Sequence, residues 1–341
     1  MRKLIILSAA LAVVLGGITA CGPREQGKSS KPRFAFVTNM PASFWVIAKK
    51  GVEKAGNDFD VETSYHMPTG NAAGQKSVLE NLLARGVDGI AVSVSDPANQ
   101  TDILDKIAKK TILVTVDADA PDSERLLYIG VDNYTAGRQC GKLVREALPG
   151  GGKVMIFVGS VDQDNGRRRR QGVIDELVGR DSDPSRFDPI DKGVTGNGYE
   201  ILGTLTDQGD PARAKANAED TLSRHPDIGC MVGLFAYNPP AIMEALSQAN
   251  KLNKVKIVAF DEDNDTLQGI IDGTVSGTIV QNPYEYGYKS IEVLVALNKE
   301  DTSLIPENKF IDIPARTIVK DNVVAFWDDL KIKTGETEAG E

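Results

Sequence analysis

The sequence has 341 residues, 41% of them hydrophobic, and its 39 basic against 48 acidic side chains give a formal net charge of −9. An acidic chain lacks the clustered Lys and Arg that phosphate backbones demand, which excludes nucleic acid as a partner, and the length exceeds one ordinary core and suits two lobes. With only two histidines, His66 and His225, a Ser-His-Asp triad or a His-rich zinc site is not expected, and no metal or cofactor is called for.

The chain opens with MRKLIILSAALAVVLGGITAC, in which a basic pair (Arg2, Lys3) precedes an apolar run from Leu4 to Ala20 and then Cys21. This is the pattern of an export signal. A membrane-spanning anchor is the alternative, but it needs about 20 apolar residues and is normally followed by a positive stop. Here small residues lead through ITAC into polar GPREQGKSSKP. The stretch resembles a bacterial lipoprotein lipobox. That resemblance implies a signal peptide over 1–20, acyl chains on Cys21 that hold the protein to the membrane, and a tether over 21–32.

From Arg33 onward, short apolar runs alternate with helical stretches. The predicted strands are RFAFVT (33–38), DVETSY (60–65), DGIAVSV (88–94), TILVTV (111–116), RLLYIG (125–130), KVMIFV (153–158), IGCMVGL (228–234), VKIVAF (255–260) and VSGTIV (275–280). Between most of them lie helices such as FWVIAKKGVEKAG, AAGQKSVLENLLARG, TAGRQCGKLVREAL, PARAKANAEDTLSRH and NPPAIMEALSQAN. Near-continuous apolar strands alternating with helices imply an α/β chain with parallel sheets covered on both faces. Glycines and turn signals cluster at LPGGGK (148–153) and GVTGNGYE (193–200), yet no Pro/Ser linker splits the chain, so two lobes must be joined by crossing strands. Residues 331–341, KIKTGETEAGE, read as a disordered tail. Cys140 and Cys230 sit in apolar patterns and read as buried thiols in preference to a disulfide.

In open parallel sheets, ligands sit beyond the carboxyl ends of the strands. The residues there include Thr38, Asn39, Phe44 and Trp45; Asp117 and Asp119 in VTVDADAP; Asp162, Asp164 and Arg169; Tyr237 and Asn238; Asp261 and Glu262; and Gln281. Paired Asp residues can do acid/base chemistry, bind a cation or accept hydrogen bonds from a hydroxylated ligand. The set contains no nucleophile beside a base. It matches carbohydrate chemistry, because sugar hydroxyls are saturated by Asp, Asn, Gln and Arg while the C–H faces of the ring stack on aromatics. Plainer roles compete for some positions. Phe44 and Trp45 can be core, Asp96 and Asp132 caps, Asn133 a hinge residue, and Arg167, Arg168 and Arg170 a solvated helix face.

The ordered series RFAFVTNMPASFWVIAKKGVEKA, VLENLLARGVDGIAVSVSDP, ILVTVDADAP, YIGVDNYTAGRQCG, GRRRRQGV, SRHPDIGCMVGLFAYN, IVAFDEDND and TIVQNPYEYGYKSIE resembles the periplasmic sugar-binding proteins of the ribose-binding type, over nearly all of 33–320. The resemblance implies two doubly wound parallel-sheet lobes joined by a three-strand hinge with the ligand in the cleft, lobe one over 33–131 plus 282–311 and lobe two over 132–281 plus 312–330. It places Phe44 and Trp45 on one sugar face and makes Asp117, Arg169, Asp261 and Gln281 ligand contacts, with Asp119 a second acceptor or a hinge residue. Ala118 stands where ribose binders carry Arg, and FAYNPP replaces an Asn-Asp pair, so Phe235, Tyr237 and Asn238 compete for one contact, here given to Asn238. The function implied is capture of a small sugar or polyol by a monomeric lipoprotein that delivers it to an ABC permease. A sugar hydrolase using Asp117 and Asp261, or a sensor module for a membrane receptor, are the alternatives.

Overall fold

A computed structural model describes residues 31–69 and 72–336; the signal peptide, Cys21 and the tether up to residue 30 fall outside the described residues. The first half runs β1 (Arg33–Val37), α1 (Ser43–Asp58), β2 (Glu62–His66), α2 (Ala72–Arg85), β3 (Gly89–Val92), α3 (Pro97–Ala108), β4 (Ile112–Val116), β5 (Tyr128–Gly130), α4 (Asn133–Ala147), β6 (Gly152–Val158) and α5 (Asp164–Val178). It continues β7 (Val194–Gly196), β8 (Tyr199–Thr206), α6 (Pro211–Arg224), β9 (Cys230–Gly233), α7 (Asn238–Gln248), β10 (Lys256–Phe260), α8 (Asn264–Asp272), β11 (Gly277–Val280), α9 (Pro283–Asn298), β12 (Phe310–Asp312), β13 (Arg316–Ile318) and α10 (Val323–Thr334).

These strands form two sheets. One has the order β12-β5-β4-β3-β1-β2 and the other β13-β11-β10-β9-β6-β8-β7. The first is parallel throughout, and the second is parallel except for its edge pairs β11/β13 and β7/β8. In each, the order reverses beside the first strand of the half, between β1 and β3 and between β6 and β9, which is where such sheets open a ligand crevice. The chain passes from one layer to the other after β5, after β11 and after β12. Strands such as GIAV and CMVG are buried along their whole length, as sheets covered on both faces require.

Helix starts are fixed by residues at the strand ends. Asp132 accepts from the backbone N–H of Tyr134 and Thr135 to cap α4, and Asp96, Asp210 and Asn282 cap α3, α6 and α9, each followed by proline. In the second layer α4 and α5 meet at near backbone contact. A Cβ on Gly172 would stand 2.2 Å from the carbonyl oxygen of Tyr134, and one on Gly137 would stand 2.1 Å from that of Arg169. Glycine is required there, and the approach fixes where α5 sits.

Three expectations need correction. The turn signals at 193–200 are the tip of a hairpin, with Asn197 and Gly198 both at positive φ as a tight two-residue turn demands, and β8 behind it goes unread in the apolar pattern. Lys331–Thr334 are no tail but the last turn of α10, whose Val323 and Phe326 join the core; residues 337–341 lie outside the described residues. Arg170 is not on a solvated face. It is 2% exposed, and it donates through Nε to Thr204 and through its terminal nitrogens to the carbonyls of Asp188 and Pro189. Cys140 and Cys230 are free thiols buried in one core, where burial pushes both up, Cys230 to about 12.

The α4/α5 contact yields a prediction. On an exposed helix Gly→Ala stabilises, but Gly172→Ala should lower stability by about 1–3 kcal/mol, because backbone must move to admit the methyl. A urea midpoint at or above that of the wild type would show that the helices can separate freely.

Candidate functional site

The two sheets present equivalent aspartates at their carboxyl ends. Asp117 follows β4 and Asp261 follows β10, and both hold the left-handed conformation, φ 60° and 66°. Few residues other than glycine adopt it, Asp and Asn most readily, and such strain persists only where the surroundings over-determine it. They do here. The Asp117 N–H donates to the carbonyl of Ile129 and the Asp261 N–H to that of Ile279, while the Tyr128 hydroxyl donates to the Asp117 carbonyl and the Thr278 hydroxyl to that of Asp261. The turn aims each carboxylate across the end of its sheet.

Arg169 lies between them. Its Nη2 is 3.6 Å from Asp117 Oδ1 and its Nη1 is 3.5 Å from Asp261 Oδ2. The guanidinium is 1% exposed. It is held by donation from Nε to Asn133 Oδ1 at 2.9 Å and from Nη1 to the Leu234 carbonyl at 3.2 Å, with its carbon 4.1 Å from the centre of the Phe260 ring. Nη2 makes no hydrogen bond. Burial pushes the Asp117 carboxyl up to about 6, against the opposing pull of Arg169, and pushes Asp261 up for the same reason.

A cavity opens over this cluster, lined by residues from both layers. Phe44 and Trp45, edge to face at 4.8 Å, form one wall, and the Trp45 indole N–H donates to Asn39 Oδ1 at 3.0 Å. The two rings also belong to the core of the first layer, so the core and wall readings both hold. Phe235 and Tyr237 face them from the loop after β9. Gln281 donates to Asp261 Oδ1 at 2.7 Å and accepts from the Tyr286 hydroxyl. Asn165 donates to Asp117 Oδ2 at 3.2 Å, a bond that joins the two layers.

Phe44, Trp45, Asp117, Arg169, Asp261 and Gln281 are therefore brought together. Asp119 and Asn238 are not. The Asp119 carboxylate turns away to a paired contact with Arg125, Nη2 to Oδ2 at 2.6 Å, and accepts from Thr115 Oγ1. Asn238 is fully buried, accepting from the Phe235 N–H and donating to Asp207, so it shapes the loop that presents Phe235 and Tyr237. Sequence reasoning missed Asn165 as a lining residue. The signal was its place four residues before Arg169, on the same face of one helix. Asn133 likewise serves Arg169 as well as the crossing segment.

Two parallel sheets linked by three crossings, with acceptors and aromatic faces from both meeting between their carboxyl ends, define the class of two-lobed extracytoplasmic solute-binding proteins. Within that class the chain belongs to the family described as periplasmic binding protein domain, whose model matches residues 34–301. Solute binding follows from that membership. The fold superposes with TM-score 0.78 on a solute-binding protein of an ABC transporter from Burkholderia graminis solved in complex with D-arabinose, at 27% identity over 87% of this chain and 99% of that one. The chain is also similar to the fructose import binding protein of Bifidobacterium longum, 26% identical over 299 residues (83% of this chain, 85% of the relative), and to the ribose import binding protein of Bacillus subtilis, 24% identical over 303 residues (86% and 92%).

The raised Asp117 carboxyl sets a pH dependence. Because its folded value lies above the ordinary 3.8, the folded state binds this proton more tightly than the unfolded state does. The stabilisation it gives is present at low pH and is lost as pH rises through about 6. Asp117→Asn should therefore raise the melting temperature of the ligand-free protein at pH 8, by at most about 3 kcal/mol in stability, and the gain should vanish near pH 4. An equal effect at both pH values would mean that the carboxylate is not held at an electrostatic cost.

Proposed function

We propose that the protein captures a small sugar or polyol outside the cytoplasm by closing two lobes on it and hands it to an ABC permease. The lobes comprise 33–131 plus 282–311 and 132–281 plus 312 to the end of α10. The observation that carries the reading is the convergence of Asp117 and Asn165, one from each layer, beside Arg169, Asp261 and Gln281, beneath facing aromatic walls. Such a site offers charge-assisted hydrogen bonds to hydroxyls and apolar surface to a ring face. A ligand touching both layers favours the closed arrangement by its differential affinity. The sugars named for the relatives support the ligand class, and the family is one of binding proteins, so no covalent step is part of the reading.

The protein acts as a monomer held to the membrane by lipid on Cys21. The lipobox-like ITAC supports that location, and among the described residues no helix is long and apolar enough to cross a membrane.

A thermal-shift screen of pentoses, hexoses and polyols should return at least one ligand that raises the melting temperature and is recovered chemically unchanged. Multiple turnovers to a hydrolysed product would establish the hydrolase alternative. With that ligand, Asp117→Ala should weaken binding by about 2–4 kcal/mol, because a buried donor loses its acceptor; affinity equal to wild type would remove Asp117 from the site. Cys21→Ser should move the protein from the membrane fraction to the soluble one, and retention of an uncleaved, membrane-bound form would favour a spanning anchor.

A further inference from the structure

The charges around the cavity do not balance. Two carboxylates line it, Asp117 and Asp261, and among the described residues that line it Arg169 is the one cation. Glu262, next along the chain from Asp261, is buried with Oε2 unpartnered, and burial and the neighbouring Asp261 push its carboxyl well above the usual range, which disfavours its charged form. The guanidinium is already engaged by Asn133, the Leu234 carbonyl and the Phe260 ring, and stands at 3.5 and 3.6 Å from the two aspartates, beyond strong hydrogen-bond distance. The side chains that do bond the carboxylates are neutral: Ser93 and Asn165 on Asp117, and Gln281 on Asp261.

Among the described residues no other cation lines the cavity, and those on the surrounding elements are turned to other partners. On α5, Arg167 and Arg168 are paired with Asp164. After β4, Arg125 is paired with Asp119. Behind Tyr237 lies another carboxylate, Asp207, which accepts from the Tyr237 hydroxyl. On β13, Arg316 sits over the Phe326 ring and acts on Glu262 only at a distance.

Resting on the sugar reading, we propose that the preferred ligand carries a positive charge: an amino sugar or amino polyol whose ammonium group meets the Asp117 and Asp261 carboxylates. A hydroxyl can hydrogen-bond either carboxylate but leaves their mutual repulsion in place. An ammonium replaces that repulsion with two attractions in a site where burial makes each one strong. The aromatic walls suit the same group, since Phe44, Trp45 and Phe235 line the cavity and aromatic rings attract cations. Acidic or phosphorylated sugars are disfavoured on the same count.

The test is calorimetry at pH 7.5 on matched pairs: glucosamine and glucose, galactosamine and galactose, mannosamine and mannose, and 1-amino-1-deoxysorbitol and sorbitol. In at least one pair the amine should bind ~10-fold or more tighter than its hydroxyl parent. Asp117→Asn, which leaves one carboxylate to one guanidinium, should bring that ratio close to one, and Asp261→Asn should do the same, with circular dichroism as the check on folding. Binding of neutral members with no preference for the amine in any pair overturns the charged-ligand proposal and leaves the sugar reading standing. Binding of no member of any pair overturns the sugar reading and the proposal with it. An amine preference that persists unchanged in both variants places the ammonium elsewhere and also overturns the proposal.

Discussion

One buried guanidinium shared between two carboxylates from opposite sheets organises this molecule. Taking Arg169 out of water is costly unless its donors and its charge are met. The protein meets them with groups that reach it from separate parts of the chain: Asn133 at the start of α4, the Leu234 carbonyl after β9, and the Phe260 ring at the end of β10. Each of these depends on a different part of the second layer being in place. The backbone contact between α4 and α5 at Gly137 and Gly172 then sets the distance between Asn133 and Arg169. A helix displaced by one methyl group would shift the guanidinium relative to Asn133 and to both aspartates.

The same hydrogen bonds connect the site to the segment where the chain first changes layer. The Tyr128 hydroxyl on β5 donates to the Asp117 carbonyl and lies 3.3 Å from the Val131 carbonyl, and it accepts from Asn133 Nδ2. Asn133 Oδ1 in turn accepts from Arg169. A continuous path thus runs from one aspartate through the crossing segment to the arginine. A rotation of the layers that separates Asp117 from Arg169 must reorganise this path, so the site and the hinge respond together and not in sequence. Asp132, one residue away, caps α4 and gives the crossing segment a fixed exit.

Much of this was legible in the sequence because strand ends and helix starts are short-range events. Apolar runs fixed the central strands to within a few residues, and Asp96 and Asp132 were legible as helix caps. The ends of β4, β10 and β11 accordingly located Asp117, Asp261 and Gln281. What failed depended on where a side chain turns once its backbone is placed. Asp119 is two residues past Asp117 and shares its chemistry, but Arg125 lies within reach and captures it. Asn238 follows a loop whose own N–H and a neighbouring carboxylate use up its amide. Arg170 differs from the half-buried Arg167 and Arg168 through Thr204 and the carbonyls of 188–189, contacts made across the fold and invisible to helical periodicity.

The site concentrates several unfavourable features in one place. Two non-glycine residues in left-handed conformations, two carboxyls pushed upward by burial and an arginine nitrogen without a hydrogen bond all occur within one cavity. Each is unfavourable for the protein alone, since strain, desolvation and unmet hydrogen bonds all cost free energy. The apolar strands on either side, buried along most of their length, supply the stability that tolerates them. A ligand that meets Arg169 Nη2 and the two carboxylates removes costs that the fold already carries. Part of its affinity then comes from relief within the protein, and that relief is available only while the two layers hold Asp117 and Asp261 within reach of the same guest.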